Sequence, residues 1–563
     1  MSLALSSLLK ARWFRFGLLA LVATFLMLAL LTYVLVDTRK VASVASSAVQ
    51  KYTGRTLTIN GSIRLKLFPH LSIVAQDVSL GNASWATDPV MTKADEVSLN
   101  LDWMPLLHDQ IAIKEVTLRG VTLNVQSAPA GQTVAGNWVF SPVESATPKS
   151  SNGAAAFNLE LIQLTDATIQ VRDGKGVLKQ SVIVDQMTGS LTDTQVDFAG
   201  RIRWQQQAID LKGRLGNQSN MPLDLVLDVQ SEKIDLKSTA LDKGTQGPAA
   251  RNQRWVFSPE SLGFDALPLL NGQITATVKS LVLPNGAVLP DLALQATLSP
   301  ASNGVLTLNK FKTGFGGGVI KADGKVTAYS TMRPQVLLRG HAQGFTVEKV
   351  LAQGRAGMKS SDFQGGAGEF AFNLNGSGVS LRDLASGAHG EVQISVGPAK
   401  ASNAFVNASG DFLVSLLDAI NPLRKNLDYA QLDCAVAYLP MQSGLVTIAQ
   451  SIGVETDRLN VVLDGQVNLR NEAVNIKIYP KEKSGLTTGV NPAGLVQING
   501  TLRNPTLGVN KAGVVKQAAT VGLAVFTAGI SLAAQNVASV ATRSSPCQNV
   551  LKPWASIDGG LSP

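Results

Sequence analysis

The feature that most constrains the fold of this chain is an alternation of apolar and polar residues with a period of two. The alternation is clearest from Leu459 to Leu469, and it resumes at Val474 after a turn at Arg470–Asn471–Glu472. Successive side chains of a β-strand point to opposite faces. The pattern therefore predicts a strand and its hairpin partner, each with one apolar face and one polar face.

Similar alternating runs recur along the chain. Apolar residues two positions apart occur in four further runs: Leu223, Leu225, Leu227 and Val229; Leu292, Leu294, Ala296 and Leu298; Phe370, Phe372 and Leu374; Val392, Ile394 and Val396. Strands with one wet face are typical of antiparallel sheets, because parallel sheets are normally covered on both faces. We therefore expect a mainly β protein with a long, twisted, antiparallel β-sheet and a few short helices.

The length of this sheet leaves two architectures open. At roughly 20 residues per strand and connection, about 25 strands would extend over about 120 Å. An open sheet of that size must curl or split, because strands twist. The sheet either splits into closed sandwiches or curls into a groove with a continuous apolar lining, and periodicity alone does not choose between them.

Helical patterns are few. Asp411 is a candidate N-cap for a helix that ends near Ile420, before Pro422. Val521–Ala534 is apolar and rich in Ala and Gly. This second segment is either a helix packed on the end of a sheet or a tail that contacts a membrane.

One segment is long enough to cross a bilayer. Phe16–Val36 contains 21 residues without a charge, which at about 1.5 Å per residue matches a hydrocarbon core of roughly 30 Å. A cleaved signal peptide is the alternative, but its apolar core would be shorter, at about 7–15 residues. We expect an uncleaved N-terminal transmembrane helix, with the long domain after it translocated out of the cytoplasm.

Composition excludes several classes of protein. Hydrophobic residues make up 45% of the 563 residues, and charged residues only 16%, which excludes intrinsic disorder over most of the chain. The net charge of +9 comes from Lys and Arg that are scattered singly, with few aromatic residues among them. We therefore expect no nucleic-acid partner, since single-stranded recognition uses aromatic stacking beside basic residues.

No catalytic template matches the sequence. The HExxH, CxxC, Walker and GxSxG patterns are absent. The Gly-rich stretches Gly314–Gly318 and Gly366–Ala371 run into alternating strands, so they are predicted turns or bulges rather than phosphate loops. The four His are isolated from one another and from Cys. We expect no enzymatic activity, no metal site and no cofactor.

The two cysteines leave two options open. Cys434 and Cys547 lack the spacing of a metal or redox motif. In an oxidising compartment they are candidates for one disulfide between the C-terminal tail and the last domain. Two free thiols are the other option.

Two internal repeats accompany two low-complexity segments. The pentapeptide Trp-Val-Phe-Ser-Pro occurs at Trp138 and again at Trp255, beside the predicted linkers 141–156 and 241–254. A weaker echo relates Ile113–Val125 to Leu159–Val171, with apolar positions nearly in register. These repeats hint at a repeated β unit.

Two groups of short motifs lie near the two ends of the chain. The N-terminal motifs are Tyr52–Thr53–Gly54–Arg55, Leu57, Ile59, Gly61, Pro69, Val78–Ser79–Leu80–Gly81–Asn82, Pro105–Leu106–Leu107, Ile111, Ile113, Val116, Leu118, Leu123 and Asn137–Trp138. The C-terminal motifs are Gly465–Gln466–Val467–Asn468–Leu469, Gly485–Leu486, Val496–Gln497–Ile498–Asn499–Gly500–Thr501–Leu502 and Asn504–Pro505. In combination these motifs resemble the AsmA family of Gram-negative envelope proteins. The middle third matches only loosely, and the loop before Asn137 lacks the acidic-Gly run often found in the family.

The resemblance implies a function and a location. Family members are similar to bridge-like lipid transfer proteins, with a chorein-type start and a long β groove. It implies a single-pass inner-membrane protein, anchored through residues 16–36, with the bulk of the chain in the periplasm. The expected partners are membrane phospholipids, conducted between the inner and outer membranes to support outer-membrane integrity, and an outer-membrane or periplasmic protein. The alternative is an envelope scaffold or an assembly factor for outer-membrane proteins that conducts no lipid.

The candidate lipid-groove residues are the apolar members of the clearest alternating runs. They are Leu223, Leu225, Leu227, Val229, Phe370, Phe372, Leu374, Leu459, Val461, Leu463, Val467, Leu469, Val474, Ile476 and Ile478.

The expected domains follow the linkers and the family motifs. They are a cytoplasmic tail and anchor (1–40), a chorein-like N-terminal β domain (41–140), a linker (141–156), a β groove segment (157–240), a linker (241–254), a second β groove segment (255–400), a C-terminal β domain (401–510) and an apolar helical tail (511–563).

Overall fold

The structure is a computed structural model, and most of the chain after residue 42 is described. Its described residues are 43–560 except for the ranges 44–45, 103–112, 130–135, 141–158, 217–222, 237–254, 265–266, 355–362, 403–428, 484–495 and 510–544 and the single positions 48, 52, 69, 193, 285 and 458. The predicted anchor Phe16–Val36, the helix predicted from Asp411 to Ile420 and the apolar segment Val521–Ala534 lie outside the described residues. Within the described part, no helix has both the length and the apolar character needed to cross a membrane.

The chain divides into two compact units, each mainly β. Unit 1 is Met1–Gly216 and unit 2 is Asn217–Pro563. Each unit contains an open sheet, which confirms the expected fold class at this level.

In the part of unit 1 that the structure describes, the sheet has nine strands. They are β1 (Leu57–Ile59), β2 (Ile63–Lys66), β3 (Ser72–Gly81), β4 (Val90–Leu101), β5 (Ile113–Gln126), β6 (Leu161–Arg172), β7 (Leu178–Leu191), β8 (Gln195–Trp204) and β9 (Gln207–Gly216). Strands β1 and β2 pair with successive parts of one edge of β3, and β3 to β9 then follow in sequence order.

A row of irregular positions crosses this sheet and shifts its alternation by one residue. The ladders are interrupted at Asp77, Asp95, Gly120, Asp166 and Asp185, which lie side by side on β3 to β7. Three of them have positive φ, at 49°, 63° and 53° for Asp77, Gly120 and Asp166. Because of this shift, apolar residues three apart share one face, where alternation alone would put them on opposite faces.

Within its described residues, unit 2 has a sheet of sixteen strands, four α-helices and one short 3-10 helix (Ala301–Asn303). The strands are β10 (Asp224–Asp235), β11 (Asn271–Val282), β12 (Val288–Ser299), β13 (Val305–Phe315), β14 (Gly318–Thr327), β15 (Gln335–Thr346), β16 (Phe363–Gly365), β17 (Ala367–Ser377), β18 (His389–Val396), β19 (Ala399–Ser402), β20 (Tyr429–Gln442), β21 (Leu445–Thr456), β22 (Leu459–Asn468), β23 (Ala473–Glu482), β24 (Val496–Thr501) and β25 (Pro505–Val509). The helices are α1 (Val347–Gly354), α2 (Leu381–Ser386), α3 (Pro546–Val550) and α4 (Trp554–Asp558).

Several turns match the sequence-based predictions. The turn at Arg470–Asn471–Glu472 joins β22 to β23, with Asn468 opposite Ala473. Gly316 and Gly317, both at positive φ, form a two-residue turn between β13 and β14. Two consecutive positive φ values match a type I′ hairpin turn, which glycine adopts without strain.

Two strand pairs correct the expectation of a purely antiparallel sheet. Strand β6 runs parallel to β5, and β11 runs parallel to β10. A parallel pair needs a long crossover rather than a tight turn, and here the crossovers hold the two predicted linkers and the two copies of the pentapeptide. The weak similarity between Ile113–Val125 and Leu159–Val171 corresponds to the first of these parallel pairs. Strands β5 and β6 lie side by side, with Glu115 opposite Leu161 and Gln126 opposite Arg172.

Candidate functional site: the apolar faces of the two sheets

One continuous row of apolar or glycine residues crosses most of unit 2. Followed through the paired residues from β10 to β24, the row is Leu227, Ile274, Ala296, Leu308, Gly324, Leu338, Leu374, Gly390, Met441, Val446, Val467, Val474 and Gly500. At about 4.8 Å per strand this row is about 60 Å long, measured along the sheet. Paired residues share a face, so this row defines the apolar face of unit 2.

Rows on either side extend the same face. Phe370 lies opposite Ala342 and Ile394, and Leu463 lies opposite Ile452 and Ile478. The positions between these rows are mostly polar. Arg339, for example, lies opposite Asp323 and Asn373. Unit 2 therefore separates an apolar face from a polar face, as the alternating runs indicate.

The sequence-predicted groove residues lie on or beside this face but in two different environments. In the C-terminal strands, Val461, Leu463 and Ile478 are 0% exposed. With Val467, Val474 and Ile476 they belong to a buried cluster that also includes Val446, Ile448, Val454 and Ile498. Leu469, which follows β22, packs against the same cluster and is half-buried. Leu459 begins β22, and its side chain lies outside the described part.

The other predicted residues are more accessible. Leu225, Leu227 and Val229 on β10, and Phe370, Phe372 and Leu374 on β17, are half-buried, and Leu223 beside β10 is exposed. Alternation grouped all these residues together, because it reports which face a side chain occupies. The structure distinguishes a packed part, β21 to β24, from an open part, β10 to β18.

Small residues lie between the larger ones on the open part of the apolar face. Ala322 and Gly324 on β14 face Gly340 and Leu338 on β15. A Cβ atom added at Gly340 would lie 2.5 Å from the Phe372 ring. The ring therefore lies over the glycine, and a larger side chain at this position would displace it.

A segment of the second crossover covers one end of this face. Phe264, Leu267 and Leu270 join a cluster with Tyr329 and with the ends of β10 to β15. The Tyr329 hydroxyl donates a hydrogen bond to the Pro268 carbonyl oxygen at 2.7 Å, and burial raises the pKa of this phenol. The crossover thus closes the apolar face at the end where β11 begins.

The second pentapeptide fixes the other end of this crossover. The backbone N–H groups of Val256 and Phe257 donate hydrogen bonds to the Glu472 carboxylate, at 2.8 and 2.9 Å. The Arg382 guanidinium lies 3.6 Å from the centre of the Trp255 ring. Glu472 is buried in the turn between β22 and β23, so the crossover is anchored at the packed part of the sheet.

Unit 1 carries an apolar face of its own. One row comprises Ala75, Val97, Leu118, Leu164, Met187, Gly200 and Leu211, and a second comprises Val78, Ala94, Val121, Ala167, Val184, Ile202 and Ile209. Both rows contribute to one cluster, in which Ala94 and Val121 are buried and Val97 and Leu118 are half-buried. The face continues across the row of irregular positions.

The polar face of unit 2 holds the C-terminal segment, whose disulfide is one of the two options left open for the cysteines and whose other contacts sequence reasoning missed. Cys547 on α3 forms a disulfide with Cys434 on β20. The Gln393 side chain exchanges two hydrogen bonds with the Lys552 backbone, at 2.8 and 3.0 Å. The His341 ring stacks on Trp554, so this segment follows the polar face from β21 towards β15.

The His341 side chain is held between two carboxylates. Its Nδ1 atom lies 2.8 Å from Asp558, and its Nε2 atom lies 2.9 Å from Glu369. Asp558 is separated from His341 by 217 positions, and no local motif links the two residues. The arrangement ties α4 to β15 and β17.

One group of described residues has the spacing of metal ligands. Cys434, Glu455 and Cys547 place a ligand atom each within 4.8 Å of one another. Both sulfur atoms belong to the disulfide, and the Glu455 carboxylate accepts a hydrogen bond from the Cys547 backbone N–H at 3.1 Å. A disulfide supplies no thiolate, so this group does not fit a metal centre while it is oxidised.

Comparisons with known proteins agree with the N-terminal motifs. Residues 14–220 match the model of the AsmA family. Over 239 residues the chain is 26% identical to Protein AsmA of Escherichia coli (strain K12), which is 40% of this chain and 38% of that protein. The motifs after Gly465 lie beyond the family match, and their resemblance remains a prediction. Residues 14–220, which include the apolar face of unit 1, are thus similar to the AsmA family.

Proposed function

We propose that this chain is a membrane-anchored lipid transfer protein that shelters the acyl chains of phospholipids on its apolar faces. In this proposal residues 16–36 hold the chain in the inner membrane, and the β units lie in the periplasm. The lipids move between the inner and outer membranes, which supports the integrity of the outer membrane. No catalytic step is part of the mechanism.

The observation that carries the proposal is the open part of the apolar face of unit 2. From β10 to β18 many of its larger side chains, among them Leu227, Leu338 and Phe372, keep part of their surface accessible, whereas smaller ones such as Ala296 and Ala342 are buried. Moving a 16-carbon chain into water costs on the order of 12 kcal/mol at about 0.8 kcal/mol per CH₂ group. A track of partly exposed aliphatic side chains recovers much of this cost, while a headgroup at the sheet edge stays hydrated.

The polar face and the family relationship support the same function. Charged pairs such as Arg339 with Asp323 keep the opposite face in water, so a lipid chain has one favourable side of the sheet. The AsmA relationship covers unit 1, whose apolar face has the same character as that of unit 2.

Site-specific photo-crosslinking tests the proposal with matched positions. Leu338 on the apolar face and Leu337 on the polar face are neighbours of the same type and are similarly exposed, at 37% and 43%. A photoreactive amino acid at position 338 should crosslink to phospholipid when the full chain is reconstituted in vesicles, and one at position 337 should not. Equal lipid adducts at the two positions, or none at position 338, would reject the proposal.

One observation favours the second candidate function, an envelope scaffold or assembly factor. The apolar residues of β21 to β24 are packed as tightly as a protein core, which suits a structural role for this part of the chain. A scaffold without lipid conduction predicts a stable protein partner in pull-down and no lipid adduct at position 338.

A further inference from the structure

The exposed apolar residues of unit 1 gather at one end of its sheet. Among its described residues, the large apolar side chains classed as exposed are Phe68, Trp138, Val139, Phe140, Val177 and Leu178. All except Phe68 lie at the end where β3, β5 and β6 finish. Phe68 lies in the turn before β3, at the opposite end of that strand.

Hydrogen bonds hold this end together. The Asn137 side chain, which is 0% exposed, donates to the Asn124 carbonyl oxygen at 2.7 Å and accepts from the Gln126 backbone N–H at 2.9 Å. The Ser127 backbone N–H donates to the Arg172 carbonyl oxygen at 3.2 Å. Residues 138–140, which follow Asn137, therefore lie beside Val177 in the β6–β7 turn and Leu178 at the start of β7.

The chain that leads to the predicted anchor reaches the same end. The Arg55 guanidinium donates a hydrogen bond to the Asn137 carbonyl oxygen at 3.2 Å. Only 18 positions separate Arg55 from the last residue of the uncharged run Phe16–Val36. Lys51 precedes Arg55, Lys175 lies in the β6–β7 turn, and Lys179, which forms an ion pair with Asp173 at 3.0 Å, lies near the start of β7.

We propose that this end of unit 1, formed by Trp138, Val139, Phe140, Val177 and Leu178 with the flanking lysines, docks on the surface of the phospholipid bilayer that holds the anchor. Trp and Phe beside apolar aliphatic residues suit the interface between headgroups and acyl chains. The lysines attract anionic headgroups over a distance of about 8–10 Å. Docking orients the strands of unit 1 so that one end of its apolar face starts at the bilayer.

The occupant of this surface follows from its position. A bilayer is present wherever the anchor is inserted, and the short connection through Arg55 keeps the end close to it. The side chains are 39–53% exposed and belong to two separate segments, 138–140 and 177–178, rather than to one groove. Such a shallow, mixed surface fits lipid headgroups better than it fits a single helix or strand of a protein. This inference deepens the proposed function and depends on residues 16–36 acting as the anchor.

Fluorescence quenching in vesicles tests the inference on the full chain. The chain's own two cysteines form a disulfide, so a cysteine introduced by V139C, V177C or F68C is the free thiol that takes a polarity-sensitive fluorophore. Phe68 is the matched control, because it is 86% exposed and lies about 30 Å away along the ten residues of β3. The vesicles contain phosphatidylcholine and phosphatidylglycerol, with a fraction of the phospholipid carrying a nitroxide quencher.

We expect quenching at positions 139 and 177 to exceed quenching at position 68 at least threefold. Quenching at positions 139 and 177 that is no stronger than at position 68 would overturn the inference, including the case in which this end binds a protein instead. Crosslinking of lipid at position 338, measured on the same vesicles, distinguishes failure of the docking from failure of lipid carriage. Strong adducts without quenching overturn the docking alone, and quenching without adducts leaves the docking intact.

Discussion

A carboxylate on the open part of the apolar face should block lipid occupancy, and the same change one residue away should not. The informative pair is Leu338→Asp and Leu337→Asp, since both leucines are substantially exposed and they face opposite sides of β15. Both variants place a charge at a site with access to water. Because about 60% of each leucine is buried, we expect both variants to lower the folding stability by a similar amount, about 1–2 kcal/mol.

The effect on lipid follows from the exposure of Leu338. Full burial of a leucine is worth about 1.5–3 kcal/mol, and 37% of this residue remains to be covered. Contact of an acyl chain with Leu338 therefore contributes about 0.6–1 kcal/mol to the binding free energy. The substitution Leu338→Asp removes this contribution. Burying the new polar group beside a lipid tail costs at least about 1–3 kcal/mol more. The total of about 2–4 kcal/mol corresponds to a loss of roughly 30-fold or more in local affinity.

A photoreactive residue at Phe372, on the same face, reports this loss. The concentration of phospholipid that gives half-maximal crosslinking at position 372 should rise at least about 30-fold in Leu338→Asp. It should change less than about twofold in Leu337→Asp. Equal effects of the two variants, or no effect of Leu338→Asp, would refute the reasoning that lipid lies on this face.

Three further predictions concern packing, anchoring and pH. Leu463→Ala should lower the free energy of unfolding by about 2–5 kcal/mol, measured by denaturant titration, whereas Leu338→Ala should cost far less. Glu472→Ala should leave two N–H groups of the crossover without an acceptor and speed their hydrogen exchange roughly tenfold or more, whereas Glu472→Gln retains an acceptor and should have a smaller effect. The hydrogen bond from the Tyr438 hydroxyl to the Glu391 carboxylate, with burial, raises the pKa of Tyr438 to about 12. In an absorbance titration one tyrosine should therefore stay protonated until about pH 12, and Glu391→Gln should lower that value.

Each of these has a clear contrary result. Equal losses for Leu463→Ala and Leu338→Ala would mean that the two parts of the apolar face are packed alike. Unchanged exchange in Glu472→Ala would mean that the crossover is held by other contacts. Tyr438 has a higher pKa in the folded state than the ordinary tyrosine value of about 10. Its interactions therefore stabilise the fold fully below about pH 10, and this stabilisation is lost as the pH rises towards 12. A stabilising effect of this tyrosine that grows above pH 10 would contradict that sign.

Local periodicity predicted the strands better than their partners. The hairpin from Leu459 to Ile478 follows from alternation and a short polar turn, because both signals are local. The parallel pairing of β5 with β6 does not, since a strand's own residues do not reveal the direction of its neighbour. The sequence feature that accompanies each parallel pair is a long connection, and both connections contain a copy of the repeated pentapeptide.

The candidate site was predicted only in part, for a similar reason. Alternation assigned Val461 and Phe372 to the same class of residue. The structure buries the first in a core and leaves the second half-buried. What covers a face depends on segments that are remote in sequence. The pairing of His341 with Asp558 across 217 positions is another example.

An experimental density map of the full chain, purified with its native lipids and determined by electron cryomicroscopy, tests the central claim most directly. We predict elongated densities, the width of an acyl chain, that run over the open part of the apolar face from β10 to β18. A map in which these side chains pack against protein, or face solvent with no such density, would contradict lipid carriage by this chain.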